Sequence, residues 1–347
     1  MSDSTEQVRK VWIGFDLGGT KMLAAVYSDD FSILGKKRRR TREKGNSDVS
    51  LNRLVETIHM ALDDAQIDVE SVGAIGAGCP GPVDMDRGLI LEAPNLGWEN
   101  LSLREHLEEE FRCPVAICND VDAGVFGEYR RGAAQGQRCV LGVFPGTGVG
   151  GGCVYEGKIF CGSTSSCMEI GFIQMATEGP AAGLGPVGTL EALGSRLMIS
   201  GEAARAAFRG RAPVLAQEVG SDISQIRSGV LARAIDSGDV EIERIVRRAA
   251  QQIGRGVGSL INVLAPDVVV IGGGLVEAMP DLYLEETTAG ARRNALPSLW
   301  ASCDIRIAKL GDYATVIGAA AWGKQCASCA GTGIHEDDRT SNPGYQD

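Results

Sequence analysis

Two glycine-rich turns constrain this chain more than any other feature. Gly18-Gly19-Thr20 follows the apolar run Val11-Trp12-Ile13 and precedes Met22 to Val26, so it reads as a tight turn between strands. Gly146-Thr147-Gly148-Val149-Gly150-Gly151-Gly152 sits likewise between Val140–Phe144 and Cys153-Val154-Tyr155. The parallel extends beyond the turns, with Val26-Tyr27 and then Gly35 in the first copy, and Val154-Tyr155 and then Gly162 in the second. Two halves that each open on a glycine hairpin predict a duplicated fold whose copies face each other.

The turns carry chemistry as well as geometry. Glycines let main-chain N–H groups approach a ligand closely, and Thr20 adds a hydroxyl, Lys21 a cation and Asp16 a carboxylate suited to hydrated Mg²⁺. Those are the parts of a phosphate-binding turn. Neither turn is a P-loop, because G-x-x-x-x-G-K-[ST] is absent. Gly146, Gly148 and Gly151 satisfy G-x-G-x-x-G in form, but a hairpin follows rather than a helix, so a dinucleotide site is not expected.

Between the turns the patterning alternates. Residues 11–35 read as two or three strands, and the basic run Lys36, Lys37, Arg38, Arg39, Arg40, Arg42, Lys44 as the solvated end of an edge strand. Apolar residues from Leu51 to Ala65 recur at helical spacing and predict an amphipathic helix over 49–66. Val72–Cys79 reads as a buried strand, followed by a loop carrying Ala93–Trp98, a charged helix over 103–111, and the strand Val115–Cys118 that delivers Asn119-Asp120-Val121-Asp122. Beyond Leu190 helices dominate, with one long apolar stripe from Ile242 to Leu264. A buried strand, Val268–Ile271, ends in Gly272-Gly273-Gly274; a strand over 304–308 and a small-residue helix over 314–324 follow. The polar tail after Gln325 is expected to be mobile, and its lone Cys326–Cys329 pair does not make a metal site.

Composition narrows the class. The 347 residues allow two domains, and 44% hydrophobic with 23% charged residues describes a soluble globular α/β protein. A net charge of −11 argues against nucleic acid as the main partner. No run approaches membrane-span length, and the N-terminus has no apolar signal core, so a cytoplasmic protein is expected. The ten cysteines, mostly inside apolar runs, fit reduced thiols in that compartment.

Taken in order, Asp16-Leu-Gly-Gly-Thr-Lys21, Pro80-Gly-Pro-Val-Asp84, Pro94-Asn-Leu-Gly-Trp98, Asn119-Asp-Val-Asp122, Gly146–Gly152 and Glu169-Ile-Gly171 resemble the ROK family of sugar kinases and repressors, over Val11 to Lys324. The resemblance implies an α/β, two-lobed ribonuclease H-like (actin-like ATPase) fold with a central cleft. The implied lobes are 11–122 with about 306–325, and 123–305, between a disordered 1–10 and a flexible 326–347. It further implies that Asp120 is the catalytic base and that Asn95, Asn119, Glu169, Glu191 and Gly81 bind the sugar. Asp16, Gly18, Gly19, Thr20, Lys21, Gly146, Thr147, Gly148 and Gly150 would hold ATP phosphates, with Mg²⁺ near Asp16 and Gly272, Gly273 and Gly274 near the nucleoside. The protein is expected to be cytoplasmic and a homodimer.

One departure stands out. The family's zinc-binding histidine is Phe172 here, and its cysteine-bearing segment reads Ala182-Gly-Leu-Gly-Pro-Val-Gly-Thr-Leu-Glu191, without a metal ligand among the family's positions. No structural zinc is therefore expected, with Phe172 packing where the knot would lie and Pro180 and Pro186 stiffening the loop. The leading expectation is ATP- and Mg²⁺-dependent phosphorylation of a hexose, glucose first, with fructose and N-acetylhexosamines as alternatives. A sugar-responsive repressor, a catalytically inactive sugar-binding protein and a polyphosphate donor are the competing readings.

Overall fold

The structure, a computed structural model, describes residues 10–41, 47–93, 96–163, 167–182 and 186–331. The chain divides into two compact units, Met1–Cys118 with Ala319–Asp347, and Asn119–Gly318.

The first unit opens with β1 (Val11–Leu17), β2 (Lys21–Tyr27) and β3 (Ile33–Arg40), then α1 (Ser47–Ala65) and β4 (Val72–Cys79). A small sheet of β5 (Val83–Asp84), β6 (Leu89–Ala93) and β7 (Trp98–Leu101) follows, then α2 (Leu103–Phe111) and β8 (Val115–Asn119). The main sheet runs β3-β2-β1-β4-β8, so Lys36 to Arg40 of the basic run lie on an edge strand, while Arg42 and Lys44 fall outside the described residues. Strand β1 pairs antiparallel with β2 and parallel with β4, as a hairpin followed by a helical crossover requires. Its core joins Ile13, Phe15, Leu54, Ile58, Ile75 and Ile117, all fully buried. The segment after Pro82, read as a loop from sequence, instead builds the antiparallel sheet β5-β6-β7. Its strands are too short to show an alternation, and they pair across turns, Ile90 with Leu101 and Ala93 with Trp98, with Ile90 and Trp98 buried in the core.

The second unit repeats the plan. It begins with α3 (Asp120–Arg131), β9 (Cys139–Pro145), β10 (Val149–Tyr155) and β11 (Lys158–Ile159). Then come α4 (Leu190–Gly194), α5 (Arg196–Phe208), α6 (Pro213–Val219), α7 (Ser228–Asp236) and α8 (Val240–Leu264). It closes with β12 (Val268–Ile271), α9 (Gly274–Ala278), α10 (Pro280–Asn294), α11 (Pro297–Trp300) and β13 (Asp304–Ile307). The sheet order β11-β10-β9-β12-β13 matches β3-β2-β1-β4-β8 strand for strand, with β9 antiparallel to β10 and parallel to β12. The duplication read from two glycine turns is thus a duplication of the sheets. The stripe of α8 (Ile242, Ile245, Val246, Ala249, Ile253, Val257, Ile261) is the spine of this unit's core.

The last helix, α12 (Ala314–Gly331), runs past Gln325, where the sequence pattern weakens. Alanine and serine at 327, 328 and 330 are compatible with a helix, so nothing stops it where the polar tail was expected to begin. No helix among the described residues is long and apolar enough to cross a membrane.

Candidate active site

The second unit gathers most of the residues that carry chemistry. Asn119 ends β8 and caps α3: its Oδ1 accepts from the N–H of Val121 at 2.8 Å and of Asp122 at 3.4 Å. Asp120 is the first residue of that helix, and its Oδ1 accepts from the Val121 N–H at 2.9 Å. Burial pushes its carboxyl up to about 6; the Val121 N–H opposes that shift and the charge of Glu169 adds to it. Asp120 also lines a cavity of about 150 Å³ with Gly124, Phe144, Gly273, Glu277 and Thr315.

A second cluster forms where Glu169 and Glu191 meet the glycine turn. Glu191, at the start of α4, accepts from the Val149 N–H at 3.0 Å. A Cβ on Gly148 would lie 2.2 Å from its Oε2, so Gly148 makes room for this carboxylate. Gly171 does the same one layer away, since its Cβ would meet the Val149 carbonyl oxygen at 2.4 Å and Glu191 Cβ at 3.4 Å. The Glu-x-Gly spacing therefore lets Glu169 pass close beside β10. Partial burial, and then the charge of Glu191, raise the Glu169 carboxyl above its ordinary range.

The turn itself closes with Gly146 N–H donating to the Gly148 carbonyl at 2.8 Å. Arg196, at the start of α5, donates its main-chain N–H to the Gly146 carbonyl at 2.9 Å and its guanidinium to Thr147 Oγ1 at 2.8 Å. Burial and the nearby Arg227 both weaken its hold on its proton. Sequence spacing gave no sign of Arg196, because the contact joins segments far apart in the chain. Gly150 lies in β10, where a Cβ would meet Val121 of α3 at 2.8 Å, so helix packing accounts for that glycine. Gly272 and Gly273 follow β12; Gly273 has φ +85° and precedes Gly274 at the start of α9.

Asp122 was passed over in the sequence. It is 1% exposed, and neither carboxylate oxygen has a hydrogen-bond partner among the described residues. Burial first, then the charges of Asp120 and Glu169, hold its carboxyl well above the ordinary range.

In the first unit, Asp16 is half-buried near the end of β1, and Gly18, Gly19 and Thr20 make the turn into Lys21 at the exposed start of β2. Thr41 braces that turn, its Oγ1 donating to the Gly18 carbonyl at 2.8 Å. Gly81, with φ +81°, passes against the Glu92 carbonyl, which a Cβ would meet at 2.0 Å. Asn95 lies outside the described residues.

Around the expected zinc-free loop, Phe172 is 37% exposed rather than packed into a vacated space. Main-chain bridges Gln174–Thr189 and Ala181–Val187 close the loop, and the Gln174 side-chain amide donates to the Val187 carbonyl at 2.7 Å. Among the described residues no group of three or more His, Cys, Asp or Glu side chains is placed to hold a metal ion.

Comparison with known proteins sets this geometry in a wider group. The family model described as ROK family matches residues 12–326. A glucokinase of Halalkalibacterium halodurans is 32% identical over 88% of this chain and 93% of its own length. The crystal structure of a ROK family glucokinase from Streptomyces griseus, in complex with glucose and AMPPNP, superposes with a TM-score of 0.78 at 29% identity, covering 91% of this chain and 99% of that one. A ROK family transcriptional regulator, a homologue of the E. coli MLC protein, shares the fold with a TM-score of 0.81 at 22% identity, over 91% of this chain and 78% of its own.

Proposed function

The chain belongs to the ROK family, and from that premise we propose that it is an ATP-dependent hexose kinase, with glucose as its first substrate. The observation that carries this reading is Asp120. Its Oδ1 is fixed by the Val121 N–H, which leaves Oδ2 to accept a proton, and a carboxyl near 6 is ionised at neutral pH yet basic enough to matter. A sugar hydroxyl is a poor nucleophile, and a base of this kind takes its proton as the new bond to phosphorus forms. Asn119, Glu169, Glu191, Gly81 and Asn95 are assigned to the sugar hydroxyls.

The nucleotide fits the residues present. A Cβ on Gly146 would meet nothing within 4 Å, so that side of the turn is open to a ligand, with the Thr147 hydroxyl and the Arg196 cation beside it. Gly148 and, in the first unit, Gly18, Gly19, Thr20 and Lys21 are assigned to the phosphates, Gly272–Gly274 to the nucleoside, and Asp16 to hydrated Mg²⁺. Bound Mg²⁺-ATP supplies the phosphoryl group and part of the charge neutralisation. Arg196, a residue with no counterpart in the sequence argument, adds positive charge next to the turn. A cytoplasmic homodimer is proposed on the family resemblance alone.

The test is an ATP-coupled assay over glucose, fructose, mannose and N-acetylglucosamine, repeated with polyphosphate as donor. Turnover with ATP, fastest on glucose, is expected. Binding of a hexose without turnover on any of them would replace the kinase with a sugar-binding protein.

A further inference from the structure

The second unit holds a concentration of arginines away from the residues assigned to catalysis. Arg205 lies in the last turn of α5, Arg209 caps that helix, and Arg211 follows Gly210. Gly210 has φ +70°, and the Gly210 and Arg211 N–H groups bond back to Ala207 and Ala206 at 2.9 Å, which folds Arg211 against the end of the helix. Arg244 and Arg248 reach the same place from α8, and the five arginines line one cavity of about 220 Å³.

Two glutamates share this cavity. Glu241 holds Arg244 through two bonds of 2.8 Å, and Glu202 bonds to Arg248. The charges of Arg211 and Arg248 also act on Glu241, which places them within electrostatic reach. Five arginines against two glutamates leave a surplus of three positive charges, in a chain whose net charge is −11. Arg205, Arg209 and Arg211 make no ion pair among the described residues.

A helix C-terminus welcomes cations, so Arg205 and Arg209 alone would need no further cause. That does not account for Arg211 turned back toward them, nor for two more arginines presented by α8. Like charges four residues apart repel, and a cluster of this kind is relieved by an anion with several oxygens. Planar guanidinium groups match phosphate oxygens in pairs, and the concave shape favours a compact multivalent anion over an extended one.

We propose that the cavity between the end of α5 and α8 binds a diphosphate group, as inorganic pyrophosphate or as part of a larger phosphorylated molecule. The proposal is independent of the kinase reading, since it uses none of the residues assigned to that reaction.

Isothermal titration with pyrophosphate at fixed ionic strength tests it, on the wild type, on the double variant Arg205→Ala/Arg209→Ala and on Arg211→Gln. All three residues are exposed and, among the described residues, form no ion pair, so the variants should keep the wild-type Tm and hexose turnover. The double variant should bind pyrophosphate at least ~10-fold more weakly, and Arg211→Gln a few-fold more weakly, as expected for lost charge-assisted hydrogen bonds. An ADP arm, run beside the binding expected at the glycine turns, separates the two sources: loss in the variants of a second ADP site in parallel with pyrophosphate assigns the cavity to nucleotides, and loss of pyrophosphate binding alone assigns it to the free diphosphate. Unchanged pyrophosphate affinity in both variants would overturn the proposal. So would sulfate binding as tightly as pyrophosphate at equal ionic strength, the behaviour of a solvated basic face.

Discussion

At the scale of single residues, the α3 N-terminus sets two carboxylates two positions apart to different tasks. Asp120 is half-buried and held by one N–H; Asp122 is sealed off and holds no partner among the described residues. Asp120→Asn should therefore preserve the fold and sugar affinity and lower kcat by at least ~10²-fold, the scale of a lost general base. In the wild type, kcat/KM should fall as pH drops through about 6, because protonation disables the base. A flat profile across that range, or near-normal turnover of the variant, would remove Asp120 from the mechanism. Asp122 gives a stability prediction instead. Its folded carboxyl holds its proton to a higher pH than the unfolded one, so the folded state is penalised progressively as pH rises above about 4. Asp122→Asn removes the ionisation and should stabilise the protein by about 1–3 kcal/mol at pH 8, with the gain vanishing near pH 4. Chemical denaturation at both pH values measures it; a pH-independent difference would mean that Asp122 titrates alike in the folded and unfolded states. The glycine turn needs a similar distinction. Gly146→Val meets open space and should weaken ATP binding while sparing the sugar. Gly148→Val drives into Glu191 and should weaken both, and nucleotide-selective loss in Gly148→Val would show that Glu191 does not touch the sugar.

At the scale of elements, legibility followed how local each signal is. The strand Val72–Cys79 and the helix Leu103–Phe111 were read to their exact ends, because uniform burial or a clean apolar face is written into consecutive residues. Strands β5 to β7 were not, since pairs such as Ile90–Leu101 are decided across a turn. The site divides in the same way. Asp120 and the glycine turns were visible as short motifs, whereas Arg196 and the orphaned oxygens of Asp122 exist only once distant segments meet. The segments 174–182 and 186–189 are joined by bonds that no pattern announced. Gln174, by bonding the Ala176 and Val187 carbonyls, spans the loop with one side chain. Elemental analysis should find zinc well below stoichiometric, and activity should survive chelation once Mg²⁺ is restored. Gln174→Ala should then lower Tm by removing buttressing worth roughly 1 kcal/mol, with no effect of added zinc. Rescue of that variant by zinc would reveal a metal site that the described residues do not form.

At the scale of the whole molecule, the chain is one sheet plan used twice, with two separate cores: one built on β1, β4 and α1, the other on β9, β12 and α8. The copies have diverged in what they carry. Asn119, Asp120, Glu169 and Glu191, four of the residues assigned to sugar and catalysis, all belong to the second unit. A ligand that binds only the folded state stabilises what it touches by mass action, by about 2.7 kcal/mol at a concentration one hundred times Kd. Hexose alone should therefore slow amide hydrogen exchange most at the start of α3, in β10 and in α4, and least in α1, which carries no residue assigned to the sugar. ATP without sugar should shift protection toward the two glycine turns instead. Those turns sit at equivalent positions of the duplicated plan, between β1 and β2 and between β9 and β10, so the nucleotide should mark both copies where the sugar marks chiefly one. Equal protection of α1 and α3 by hexose would mean that the sugar is read by both units alike, and the assignment of its recognition to the second would fall.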